Sequence, residues 1–238
     1  MELVSLHPFD PDIATRYVAA LKGEREPDPA WRDWWSPVLP DALARTAAGR
    51  EDAAQSVSLG LAWALSAEHP VFVREGFGLT NWEARIDRGV GMLMRPPSRL
   101  FIDAGLERRT AQVMPIRLEL EQGMMGGAYI PSRLMGNMAE LMDARLERMA
   151  KRLVDAEYDP FSMLGLMHQA VAYACEHDLG LYEAQDAVGP AVPRMRLVEA
   201  AEKKRMDGAL RERIEAAITP EKKPGIISRL MGKKKPGE

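Results

Sequence analysis

Hydrophobic and polar positions change their period twice along this chain. In the first quarter apolar residues recur every three or four positions. Ile13, Tyr17, Val18 and Leu21 share one side of a predicted helix that opens at Asp10-Pro11 and stops at Gly23. An aspartate accepts from the orphan N–H groups of a helix start, and a following proline pre-sets the first helical residue, so each Asp-Pro pair reads as an N-terminus. Asp28-Pro29 opens a short turn carrying Trp31, Trp34 and Trp35, and Ser36-Pro37 starts again toward Leu43 and Gly49. A third helix is predicted over 51–68, with Ala54, Val57, Leu61 and Ala64 on one side.

From Val71 the reading turns to a period of two. Trp82, Ala84, Ile86, Val90, Met92 and Met94 hold even positions, while Glu83, Arg85, Asp87 and Arg95 hold odd ones, the pattern of a strand with one wet face. Pro96-Pro97-Ser98 breaks the run, then Leu100, Ile102, Ala104 and Leu106 resume it. MPIRLELE repeats it strictly, with Met114, Ile116, Leu118 and Leu120 inward and Arg117, Glu119 and Glu121 outward. Short connections favour antiparallel pairing, so a meander of three strands is predicted, four if VFVREGFGL contributes the first.

Beyond the meander the period returns to that of a helix. Leu134, Met135, Met138, Leu141, Met142, Leu146, Met149 and Leu153 form a sustained stripe opposed by Arg145, Glu147, Arg148 and Arg152. Asp159-Pro160 opens a helix that is apolar nearly all round, with Gly180 as its stop, and a last helix is predicted over 193–218. The order predicts one α+β domain over 1–219: helices in 10–69, an antiparallel meander at about 71–121, and a helical layer in 132–218 packed on one face of the sheet. Residues 220–238 are set apart as a basic, flexible tail.

Composition narrows the function classes. A chain that is 46% hydrophobic and 28% charged can bury a core, which excludes disorder throughout. Its longest weakly polar run, VSLGLAWALSA, falls well short of the roughly 20 apolar residues that cross a bilayer. Glu2, Asp10 and Asp12 stand where a secretory signal would be basic and then apolar, and the single Cys175 excludes a disulfide framework. The expectation is a cytoplasmic protein. Arginines are spread almost evenly along the chain, which argues against a nucleic-acid footprint.

Candidate chemistry is sparse. GMMGGAYIP, residues 123–131, lies between a predicted strand and a predicted helix, where backbone N–H groups can hold a phosphate or carboxylate. Gly126 and Gly127 would shape such a loop, and Ser132 and Arg133 would be its side-chain donors. Alternatively the two glycines only permit a sharp reversal. Glu119 and Glu121 share one face about 7 Å apart by strand geometry, and Asp103 or Asp87 would join them from neighbouring strands. That cluster could serve a cation or acid–base chemistry, or form a solvated face neutralised by Arg85, Arg99 and Arg117.

No metal site or cofactor is expected. His168 and Cys175 lie seven residues apart, about 10 Å along a helix, too far for one metal, and His177 points from another face. Ser56 in SVSLG sits inside a predicted helix and departs from a nucleophile elbow. Cys175 is expected to be a small core residue. The methionine stripe reads as core, with a groove for a partner helix or a homodimer interface as the alternative. The Trp31, Trp34, Trp35 group reads as a satellite cluster over the core.

The tail is the feature least like domain interior. It holds six Lys or Arg against Glu221 and Glu238, which leaves the first 219 residues at −7 within a total of −3. Between Lys222 and Lys223 on one side and Lys233, Lys234 and Lys235 on the other, Ile226, Ile227, Leu230 and Met231 would share one side of a two-turn helix. Such a segment suits a protein partner or an anionic membrane surface, and a nucleic-acid role is weaker because no aromatic residue is interleaved. Two functions follow: a non-catalytic binding or adaptor protein acting through the tail, or an enzyme or ligand-binding protein holding a phosphate- or carboxylate-bearing small molecule at 123–131.

Overall fold

The computed structural model describes residues 3–75, 78–114, 128–185, 187–188, 195–199 and 203–219. It opens on a strand, β1 (Leu3–Phe9), followed by α1 (Pro11–Leu21). The Asp10 side chain accepts the Asp12 N–H at 2.8 Å with Pro11 in the first turn, and Gly23 leaves the helix at φ 72°, a conformation that costs a glycine little. Asp28 caps a single 3-10 turn, Pro29–Trp31, through the Ala30 N–H at 3.1 Å. Then come α2 (Val38–Ala47), α3 (Glu51–Ser66) and β2 (Val71–Glu75). Four short helices follow: α4 (Leu79–Arg85), α5 (Arg88–Leu93), α6 (Pro97–Asp103) and α7 (Arg108–Ala111). The remainder is β3 (Tyr129–Ile130), α8 (Met135–Asp155), α9 (Pro160–Glu176), β4 (Gly180–Gln185), β5 (Leu197–Glu199) and α10 (Gly208–Ile218).

The five strands form one mixed sheet in the order β3-β4-β1-β2-β5, antiparallel except for β2 with β5. Period-two alternation sends β1 to both sides. Phe9, Tyr129, Tyr182 and Ala184 face a core built with α1, α2, α3 and α6, including Tyr17, Trp31 and Phe101. Leu6, Phe72, Ile130 and Leu181 face a second core built with α4, α5, α8, α9 and α10. With both faces covered, β1, β2 and β4 bury side chains on either side of the sheet, including the polar Ser5, His7, Arg74 and Glu183, while the edge strand β5 is largely exposed.

The α+β class is the observed one, but the strands lie elsewhere than predicted. Residues 79–111 carry four short helices where the meander was expected, and of the predicted strands only Val71–Glu75 is found among the described residues. The positions that read as a two-residue period carry a four-residue one as well: Trp82, Ile86 and Val90 are fully buried, while Met92, in the same apparent series, is 79% exposed. Helices cover both faces, not one. Gly180 opens β4 instead of stopping α9, because a Cβ there would meet the Ile130 carbonyl oxygen at 2.5 Å and the Phe9 ring. The last helix is shorter than 193–218, with β5 and a 3-10 turn at Lys203–Arg205 ahead of α10. The MPIRLELE residues 115–121 and the tail 220–238 lie outside the described residues.

The second core absorbs the methionine stripe: Met135, Met138, Met142 and Met149 of α8 are all buried inside the chain. Trp31 is buried and stacks on Trp35 at 6.1 Å, with Trp34 and Trp35 packed on its core. Among the described residues no helix is long and apolar enough to cross a membrane.

Candidate functional site

A cleft of about 600 Å³ opens beside the β3 edge of the sheet. Phe9 ends β1 and presents its ring edge-on to Tyr129 of β3 at 5.8 Å, so two rings make one wall. The first turns of α1 supply Pro11, Ala14 and Thr15, and α6 supplies Arg99, Leu100, Asp103 and Ala104. Pro131, Ser132 and Arg133 close the far side, and Arg95 completes the lining. The Arg95 backbone is bonded to the strand edge in both directions: its N–H donates to the Tyr129 carbonyl at 2.8 Å and its carbonyl accepts the Tyr129 N–H at 3.0 Å. Pro96-Pro97, read as a strand break, instead turns the chain from this bridge into α6, and so sets Arg95 and Arg99 on the same cleft.

The electrostatics are one-sided. Arg99 Nε lies 3.2 Å from the Asp103 carboxylate, one turn along α6. Arg95 spends Nη1 on its own backbone, donating to the Met94 carbonyl at 2.6 Å and the Met92 carbonyl at 3.1 Å, which orients the guanidinium without neutralising it. Among the described residues neither Arg95 nor Arg133 has a carboxylate partner. Burial pushes the Tyr129 hydroxyl above its ordinary value, the Asp103 charge adds to this, and Arg99, Arg95 and Arg133 pull the other way. All four charges therefore act on one point in the cleft wall.

Ser132 and Arg133, the two side-chain donors expected from the sequence, thus sit on the cleft. Gly126, Gly127, Glu119 and Glu121, with the tail residues Lys222, Lys223, Ile226, Ile227, Leu230, Met231, Lys233, Lys234 and Lys235, lie outside the described residues. Asp87 and Asp103 do not meet on a strand face: Asp103 lines the cleft, while Asp87 is buried in the opposite layer, accepting from Arg148 and from Arg145 at 2.7 Å. Cys175 is exposed on α9 rather than in the core, and partial desolvation raises its thiol pKa, away from nucleophilic activation. Phe9 and Arg95 were not read as site residues, Arg99 and Asp103 were expected only on a charged strand face with Glu119 and Glu121, and Tyr129 only as part of the 123–131 loop. The available signal was the pair of arginines flanking Pro96-Pro97.

Buried polar groups elsewhere are structural. Ser5 Oγ lies 2.9 Å from His7 Nε2 and donates to the Ala184 carbonyl at 3.1 Å. With its one hydrogen given to that carbonyl, the hydroxyl accepts from the imidazole, the reverse of a nucleophile–base pair. Burial drives the His7 pKa down to about 3, so the ring is neutral. Among the described residues no three His, Cys, Asp or Glu side chains converge as metal ligands.

What the fold and site define is an α+β protein with an arginine-lined cleft at the sheet edge. No family model matches the chain, and neither do the curated proteins or the solved structures compared with it.

Proposed function

We propose that this protein binds a small molecule carrying a phosphate or carboxylate, held in the cleft between α1, α6 and β3. The observation that supports it is Arg95 and Arg133 lining one concave site with no carboxylate partner among the described residues. Two unneutralised guanidiniums raise the potential of a cleft with apolar walls, and each presents a fork of donors suited to oxyanions. The volume lies within the range of small-molecule sites, about 300–1,000 Å³. The same residues suit an enzyme or a carrier, and no catalytic step is assigned. Arg133→Ala is expected to weaken binding of an anionic ligand at least tenfold by calorimetry, with the circular dichroism spectrum unchanged. Unaltered affinity in that variant overturns the reading.

A second reading, an adaptor acting in the cytoplasm through its tail, rests on the charge separation between a −7 body and its basic last 19 residues. Here the occupant of the tail is a protein partner or an anionic membrane surface. Deleting residues 220–238 should abolish sedimentation with anionic vesicles or capture of a partner while leaving the melting temperature unchanged. Retained binding by the truncated chain removes this reading.

A further inference from the structure

The arrangement of charge and apolar surface in the cleft narrows the ligand class. We infer that the ligand is a small phosphomonoester with an apolar body, a conclusion that rests on the anion-binding reading above. The charge balance carries it. Of three lining arginines, Arg99 is matched by Asp103 at 3.2 Å, so Arg95 and Arg133 remain, two positive charges with no acidic partner among the described residues. A carboxylate would leave one of them unbalanced. A phosphomonoester carries close to two negative charges at pH 7 and three acceptor oxygens, enough for two guanidiniums and the Ser132 hydroxyl.

The rest of the lining specifies the body. Phe9, Ala14, Leu100, Ala104, Tyr129 and Pro131 give the cleft an apolar floor and wall next to the arginines. A bare phosphate would leave that surface wet, and a cleft of about 600 Å³ is far larger than it needs. A body that covers the wall releases water from apolar surface and adds affinity that the charge alone does not supply.

The titration of the ligand separates the alternatives, because among the described residues no histidine lines the cleft. Among those residues the ionisable groups that line it are Arg95, Arg99, Arg133, Asp103 and Tyr129. A second phosphate ionisation near pH 6 therefore governs any change in affinity between pH 5 and 7.5.

Calorimetry on the full chain with phenyl phosphate, benzoate and inorganic phosphate tests the inference. Phenyl phosphate is expected to bind at least tenfold more tightly than either of the others, and to gain about tenfold between pH 5 and 7.5. Arg95→Ala and Arg133→Ala should each weaken it at least tenfold, with Arg133→Lys intermediate. Benzoate binding as tightly, without pH dependence and still sensitive to Arg133→Ala, overturns the dianion while the anion-binding reading stands. Inorganic phosphate binding as tightly as phenyl phosphate overturns the apolar body. Arg133-dependent sedimentation with phosphatidic acid vesicles, in the absence of phenyl phosphate binding, overturns the small-molecule assignment in favour of a lipid headgroup. No binding by any of these probes overturns the anion-binding reading itself.

Discussion

Asp87 and Glu183 are both completely buried on the side of the sheet that carries α4, α5, α8 and α9, yet the fold drives their ionisation in opposite directions. Burial alone would raise both. At Asp87 it is outweighed by Arg148, by the Gly89 N–H at 2.7 Å and by Arg145, and the pKa falls below the ordinary carboxylate range. At Glu183 burial wins over the Leu79 N–H and the Arg74 charge, and the pKa is pushed up to about 7. Loss of exposed surface alone does not set ionisation, because Asp87 lies close to the surface among half-exposed guanidiniums while Glu183 lies deep under α4. The number and charge of donors reaching the carboxylate decide it, and only Asp87 is reached by two guanidiniums bonded to its oxygens. The same reasoning separates the arginines: Arg145 and Arg148 of α8 are matched to Asp87 and belong to the fold, while Arg95 and Arg133 line the cleft.

The largest expected effect breaks the comparison at Glu183. Its folded pKa is above the unfolded value, so the folded protein holds the proton more tightly. The stability this contributes is complete below about pH 4.5 and is lost as pH rises through about 7. Glu183→Gln keeps a carbonyl acceptor for the Leu79 N–H and removes the charge, and should flatten the slope. The unfolding free energy from urea titration at pH 8 should rise relative to wild type by an amount on the order of 3 kcal/mol. An unchanged slope between pH 5 and 8 would show that Glu183 is ionised throughout.

Asp87→Ala is next, removing the α5 cap and the ties from α8 to the α4–α5 corner, at a cost of about 2 kcal/mol at pH 7. The figure is held down because Arg145 and Arg148 are 41% and 52% exposed and return to water. Its sign with pH is opposite to that of Glu183: the depressed pKa contributes stability above the unfolded value and loses it as pH falls through the folded one. Wild type should therefore lose more stability than the variant below pH 4 in the same urea titration. Arg133→Ala completes the series with the smallest effect, a change in stability within about 0.5 kcal/mol despite its loss of ligand, as expected of an exposed arginine with no ion-pair partner among the described residues.

The local signals were legible because their physics is local. Asp10-Pro11, Asp28-Pro29 and Asp159-Pro160 each open a helical turn with the aspartate accepting a backbone N–H, and the α8 stripe is buried where its spacing put it. Trp82, Ile86 and Val90 misled because short segments satisfy two periods at once, and only the neighbouring layer decides which face is covered. Ser132 and Arg133 were recognisable as donors from their place in the sequence; the cleft they line was not.

By itself, then, the sequence determined the α+β class, the helical turns opened by Asp10-Pro11, Asp28-Pro29 and Asp159-Pro160, and the apolar face of α8, all of which depend on residues within a few positions of one another. Tertiary structure alone decided that β1 pairs with β4, joining Leu6 to Glu183, and that helices cover both faces of the sheet. It also decided that Phe9, Arg95, Arg99 and Arg133 share one cleft. These contacts span tens to nearly two hundred residues. No periodicity encodes them, because hydrogen-bonded ladders and packed layers are selected by the whole chain at once.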